Sequence, residues 1–212
     1  MGKPIVYGPR YSVYTRAVLM ALHEKKVAAD VIEIDMDANA HKAPEHLKRH
    51  PFGMLPAFEH NGFAIYESLP ILCYIDDAFP GPRLTPGDIH RRTRALQIIG
   101  VINSYAYRPL VWGIFVPRTF SKPDRVVDEA AIADAVKTGG YALKAIEDLT
   151  MNPDPFLTGR QISLADLLLE PVIHYLAMTV EGKAMLPNVP KLATWHDALQ
   201  TRPSVKETVP VL

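Results

Sequence analysis

Apolar and polar positions follow two rhythms along this chain, and the change from one to the other divides it. Between Pro4 and Tyr7 a short apolar run stops at Gly8-Pro9, which predicts a buried strand leading into a turn. In Tyr14–Lys25, Ala17, Val18, Met20, Ala21 and Leu22 recur at spacings of three and four, the stripe of a helix packed on a sheet. Ala29–Ile34, with Val31 and Ile32, reads as a second strand, so the opening is β-α-β with a parallel pair and a right-handed crossover. A short helix is expected at Ala43–Leu47. Strand-like pieces Ala57–Glu59 and Ala64–Tyr66 flank His60-Asn61-Gly62, where Asn-Gly is a strong hairpin signal. Glu67–Ala78, with Ile71, Leu72, Tyr74 and Ile75 at helical spacing, completes the order β-α-β-α-β-β-α.

Prolines 80, 82 and 86 with Gly81 and Gly87 then break the pattern, and residues 79–89 read as a linker. Beyond it the rhythm is helical throughout, in His90–Ala106, Asp124–Leu149, Ser163–Met178 and Lys191–Gln200. The expected fold is α/β plus all-α, with an N-terminal domain over 1–78 and a helical domain over 90–212. Ser163 stands three residues before Asp166, with Ile162 and Leu167 at the staple positions, which marks a capped helix start. Pro171 falls inside that helix, where a kink is expected.

Composition narrows the function classes. Twenty-three basic residues balance twenty-three acidic ones among 212, without long blocks of one sign, so a nucleic-acid partner is not expected. The single cysteine, Cys73, excludes an internal disulfide framework and a multi-cysteine metal site, and fits a reducing, cytoplasmic setting. No apolar run approaches the ~18 residues of a membrane span, and Val6 spoils the myristoylation signal that Met1-Gly2 would open. No membrane association is expected.

Four features converge on one edge of the expected sheet. Ser12 follows strand one and precedes helix one, where its hydroxyl and the helix N-terminus both favour an anion; by itself it also reads as a helix cap. At Leu55-Pro56 a proline enters a strand, and a cis bond there would turn the N–H and C=O of Leu55 outward to pair with an extended peptide. Glu67-Ser68 at the start of helix three suits an α-amino acid head group, the acid taking the ammonium and the helix start the carboxylate; the pair also reads as ordinary first-turn residues. His41-Lys42 could neutralise a second carboxylate, or be solvated surface.

Taken together, these residues resemble the cytosolic glutathione transferase superfamily. VYGPRYSVYTRAVLMAL is similar to the first strand, loop and helix of its serine-type, phi- and theta-like members, and HKAPEHLKRHPFGMLPAFEHNGFAIYES to their glutathione-binding segment. ISLADLLL is similar to a capping element of their helical domain. The resemblance implies a thioredoxin-like N-terminal domain, a cis peptide before Pro56, and glutathione as co-substrate without a metal. It further implies that Ser12 is the catalytic hydroxyl, that His41 and Lys42 hold the glycine carboxylate, that Leu55 pairs with the peptide, and that Glu67 and Ser68 hold the γ-glutamyl group. Met54 departs from the glutamine usual at its position, and His50 from the asparagine usual before Pro51-Phe52-Gly53. Tyr7, Tyr11, Tyr14 and Thr15 stand near enough to compete with Ser12. Arg16, one turn after Ser12, is a candidate for tuning the charge there or for a structural role.

The implied activity is transfer of glutathione to small hydrophobic electrophiles in detoxification. A glutathione-dependent isomerase or dehalogenase, or a non-catalytic binding protein, remains open as an alternative. The family's electrophile pocket draws attention to Tyr105, Tyr107, Trp112 and Phe115, of which Trp112 and Phe115 are the candidates; such an aromatic cluster also reads as core. The resemblance implies a homodimer, with Phe52 as an interface key.

Overall fold

The computed structural model describes residues 2–120, 126–151 and 155–210. The expected helix start at Asp124, Met1 of the Met1-Gly2 pair, and the last two residues of the 90–212 range lie outside them. The chain forms two compact units, one of residues 2–85 with 202–210, the other of residues 86–201.

The first unit carries β1 (Ile5–Tyr7), α1 (Val13–Glu24), β2 (Asp30–Ile32), α2 (Pro44–Arg49), β3 (Ala57–His60), β4 (Phe63–Tyr66) and α3 (Ser68–Ala78), with a turn of 3-10 helix at Ala40–Lys42. Its sheet runs in the order β2-β1-β3-β4. β1 and β2 pair in parallel, whereas β1–β3 and β3–β4 are antiparallel. This is the expected thioredoxin-like order, and each element lies within a few residues of its expected bounds. The hairpin turn has Asn61 and Gly62 at φ +52° and +79°, the left-handed values for which Asn-Gly is suited. α1 buries Val13 and the whole run Thr15–Leu22, and packs beside α3, which buries Ile71, Leu72 and Ile75.

The proline-rich stretch after α3 is not slack. Asp76, 2% exposed, accepts from the backbone N–H of Leu84 at 2.8 Å and of Thr85 at 2.9 Å, and meets the Lys25 ammonium at 2.7 Å. Leu84 is thereby fully buried. The C-terminal residues also return to this unit, although the sequence pattern assigns all of 90–212 to the helical domain. α10 (Pro203–Lys206) packs on α1, with Arg202 forked onto the Glu24 carboxylate through two 2.6 Å bonds and Ser204 donating to the same group.

The second unit holds α4 (Ile89–Val101), α5 (Val116–Thr119), α6 (Glu129–Leu149), α7 (Leu164–Ala177), α8 (Val180–Met185) and α9 (Pro190–Leu199). Between α4 and α5 the helical path continues in wide turns at Ile102–Ala106 and Arg108–Phe115, well past the expected end at Ala106. Pro109 sits in this stretch; it lacks an N–H and crowds the carbonyl four residues back, and a wider turn relieves both. α6 approaches closely because two glycines make room. A Cβ on Gly113 would stand 2.6 Å from Ala135 Cβ, and one on Gly139 2.4 Å from Leu110 Cδ2. α7 is the buried axis of the unit and remains one helix through Pro171.

Its start is the expected capping box. Asp166, fully buried, accepts from Ser163 N–H at 2.8 Å, Ser163 Oγ at 2.6 Å, Leu157 N–H at 2.9 Å and Trp195 Nε1 at 2.8 Å. One carboxylate therefore ties the preceding loop and α9 to the first turn of α7. Glu147 does the same for α9, whose own cap residue offers no side-chain bond: its two oxygens accept from the N–H groups of Lys191 and Leu192.

Candidate functional site

Strand register places the site. Tyr7 pairs with both Ile32 and Ala57, and Ala57 pairs with Tyr66, so one row of residues ends the sheet. The chain just beyond that row comprises residues 8–12, the Leu55-Pro56 peptide and Glu67-Ser68. Three of the four expected features thus meet at one edge. Contacts confirm the proximity: a Cβ on Gly8 would lie 3.6 Å from Pro56 Cα. The Leu55-Pro56 bond is cis, as the resemblance implies.

Ser12 caps α1. Its Oγ accepts from Thr15 N–H at 3.5 Å, while the helix begins with Arg16 N–H donating to Ser12 O at 2.8 Å. Capping uses one acceptor lone pair and leaves the hydroxyl proton available, so the cap and donor roles coexist. Tyr7, the rival within β1, is 6% exposed; its hydroxyl donates to Glu59 at 3.3 Å and the Arg49 guanidinium lies 4.3 Å from its ring centre. Burial pushes the Tyr11 hydroxyl up, and Asp37, Asp35 and Glu33 push it further, an acidic setting that opposes a second anion. Arg16 is fully buried beneath the helix start.

Glu67 precedes α3 at φ +70°, a left-handed conformation rare outside glycine, with its side chain 62% exposed. Strain of this kind collects where a backbone is held for a ligand. Ser68, half-buried, is the first residue of α3. The fourth feature joins through Gly53. At φ +60° a Cβ there would stand 2.8 Å from His41 O and 2.9 Å from Lys42 Nζ, and Lys42 Nζ donates to Phe52 O at 3.1 Å. His41 and Lys42 are therefore seated on the loop that leads through Met54 to Leu55 and Pro56. Burial pushes the His41 imidazole down, with Lys42 and His46 adding to it. Met54 is exposed, and its carbonyl bonds to His46 Nε2 at 2.9 Å.

Two contributors escaped sequence reasoning. Gly53 was visible only as part of Pro51-Phe52-Gly53, a loop triplet whose left-handed member no periodicity reveals. His50, noticed for its unusual identity, lies 2% exposed with Nε2 4.0 Å from Glu67 Oε1, a proximity that nothing in the linear spacing announces.

Trp112 and Phe115 are not brought together. Trp112, 54% exposed, lines a groove of about 850 Å³ within the helical unit with Tyr105, Arg108, Asp134, Thr138 and Tyr141, and donates from Nε1 to Tyr107 Oη at 3.0 Å. Phe115 is 3% exposed and stacks on Tyr175 with ring centres 4.5 Å apart and planes 6° from parallel. Its ring belongs to the core of that unit. Cys73 is a half-buried free thiol that burial pushes up, and Asp77 and Asp76 push it further. Among the described residues no group of three or more His, Cys, Asp or Glu could hold a metal ion, and no helix is long and apolar enough to cross a membrane.

Comparison with known proteins agrees with this geometry over nearly the full chain. Residues 3–77 match the model of the glutathione S-transferase N-terminal domain, and residues 127–208 that of the glutathione S-transferase C-terminal domain. Glutathione S-transferase F6 of Arabidopsis thaliana is 30% identical over 96% of this chain and 98% of its own. The probable glutathione S-transferase GSTF1 of Oryza sativa subsp. japonica is 28% identical over 98% and 95%. The crystal structure of poplar glutathione transferase F1 superposes with a TM-score of 0.86 at 28% identity, covering 98% of this chain and 97% of that one. With both domains matched in order and a cis-proline sheet edge of the expected make, the chain belongs to the glutathione S-transferase family.

Proposed function

We propose that this protein is a glutathione transferase in which Ser12 activates the thiol of bound glutathione for attack on small hydrophobic electrophiles. The observation that carries the reading is the convergence, beyond the Tyr7–Ala57–Tyr66 row, of the Ser12 helix start, the Leu55-Pro56 peptide and Glu67-Ser68. Leu55 offers backbone pairing to the tripeptide. Glu67 takes the γ-glutamyl ammonium and the start of α3 its carboxylate; His41 and Lys42 take the glycine carboxylate, and Met54 lines the path.

A free thiol has a pKa of about 8.5, so little of it is thiolate at neutral pH. Lowering it by two units requires about 2.7 kcal/mol, within reach of one charge-assisted hydrogen bond and a helix N-terminus. Ser12 stays protonated and donates to the sulfur. Commitment of the Tyr7 hydroxyl to Glu59 favours Ser12 over that tyrosine.

The test is an ultraviolet titration of the thiolate with glutathione bound to wild type, Ser12→Ala and Tyr7→Phe. Ser12→Ala should return the thiol toward its free value, lowering the thiolate-to-thiol ratio about a hundredfold if the shift is two units, and Tyr7→Phe should leave it lowered. A wild-type thiol that titrates as in free solution would refute the mechanism.

The same reading extends to a cytoplasmic, detoxifying homodimer. Phe52 and Tyr66 are exposed side by side with ring centres 6.4 Å apart, and Met54 is exposed two residues along the same loop as Phe52, which suits a second copy of the chain with Phe52 as its key. Sedimentation should find a dimer that Phe52→Ala weakens.

A further inference from the structure

We propose that His50 is a positioning residue for Glu67 and makes capture of the glutathione ammonium sensitive to pH, an inference that rests on the glutathione reading above. The imidazole is buried beneath the site, its ring 4.9 Å from that of Tyr66, 6.2 Å from that of Phe52 and 6.4 Å from that of His46. Nε2 faces Glu67 Oε1 at 4.0 Å, and Nδ1 is buried with no hydrogen-bond partner.

A neutral ring with its proton on Nε2 turns a positive edge toward the Glu67 carboxylate and leaves that carboxylate its full negative charge. That arrangement steadies a side chain which is otherwise largely exposed and whose backbone sits at φ +70°. Protonation of His50 would place a cation beneath Glu67, offsetting its charge and repelling the ammonium that Glu67 is there to hold. The charged and titratable groups around His50 are Glu67 at the start of α3, His46 on α2, Lys42 just before α2, and Tyr66 on β4. Burial keeps the imidazole below its ordinary value; Glu67 acts against this, while His46 and Lys42 act with it. His50 is therefore neutral at physiological pH, and Glu67 is fully available.

Because the bound ammonium and the His50 proton compete, glutathione binding must weaken as pH falls through the His50 titration, by up to about tenfold per pH unit. S-methylglutathione is the suitable probe, since it removes thiol ionisation from the measurement. Calorimetry between pH 5 and 7.5 should show its affinity falling on acidification in wild type more steeply than in His50→Asn; comparing the two cancels the His41 contribution. With an analogue lacking the α-amino group, the two proteins should share one profile.

Parallel S-methylglutathione profiles overturn the inference, and so does a difference that persists with the analogue, since His50 would then act on the fold alone. Absence of S-methylglutathione binding by wild type at every pH overturns the glutathione reading and the inference with it. A measurement independent of whether His50→Asn folds is the NMR titration of the His50 ring. Glu67→Gln should lower its midpoint and S-methylglutathione should lower it in wild type; an unmoved midpoint in either case refutes the coupling.

Discussion

Lys25 and Asp76 form the most exposed weakness of the first unit at the scale of single residues, because both charges lie out of water, with side chains each 1% exposed. Burial alone would raise the Asp76 carboxyl, but Lys25, Leu84 and Thr85 hold it below its ordinary value. Asp76→Asn removes the negative charge opposite the buried Lys25 ammonium and leaves it neutral oxygens such as the residue's main-chain carbonyl, at 2.9 Å, so it should cost about 3–5 kcal/mol in urea denaturation. The sign of the pH effect follows from the lowered folded value. The contribution is fully present above the unfolded pKa of about 3.9 and is lost as pH falls through the folded one, so wild type should lose more stability than Asp76→Asn below about pH 4. Gly53→Ala is the second prediction at this scale. Its Cβ has no space against His41 O and an unfavourable φ, so it should displace Lys42 and weaken binding of S-methylglutathione in calorimetry more than it lowers the melting temperature. Ser12, Glu67 and Ser68 were legible as residue types at strand-to-helix junctions. What spacing did not carry was their state: a hydroxyl with a spare proton, a left-handed glutamate, and a histidine buried beneath it.

At the scale of elements, the helical unit depends on carboxylates that join helix starts to neighbours. Asp166→Ala would leave four donors without their acceptor, among them Trp195 Nε1, in a fully buried place. It should cost about 3–5 kcal/mol, the range of a broken buried network, and shift Trp195 fluorescence to the red as α9 loosens. The Ser163–Asp166 spacing announced this cap, because a capping box is local in sequence. Glu147 at the start of α9 was not legible, since its partners Lys191 and Leu192 stand more than forty residues away. The wide turns through Phe115 escaped for a different reason: their register departs from the 3.6-residue period by which helices are recognised, and Pro109 reads locally as a stop.

At the scale of the whole molecule, the first unit is built from both ends of the chain. Arg202 and Ser204 hold the Glu24 carboxylate, whose pKa burial would raise but which these partners bring below its ordinary value. Arg202→Met should therefore destabilise the first unit by about 1–3 kcal/mol, seen as earlier loss of amide-exchange protection in α1 while α7 keeps its own. Glutathione should oppose such losses by mass action, adding about 2.7 kcal/mol at a hundred times its dissociation constant, and a melting curve indifferent to glutathione would contradict the proposed site.

The sequence by itself determined the order of elements, the hairpin, the capped start of α7 and the residue types at the sheet edge. Each of these is written in short-range periodicity, turn chemistry or a motif a few residues long. Tertiary structure decided which of those residues meet, that Tyr7 gives its hydroxyl to Glu59, that Phe115 turns into the core while Trp112 faces a groove, and that the final helix returns to α1. These outcomes turn on strand register, burial and contacts across long stretches of chain, where the energy of a side chain depends on neighbours that its own stretch of sequence does not contain.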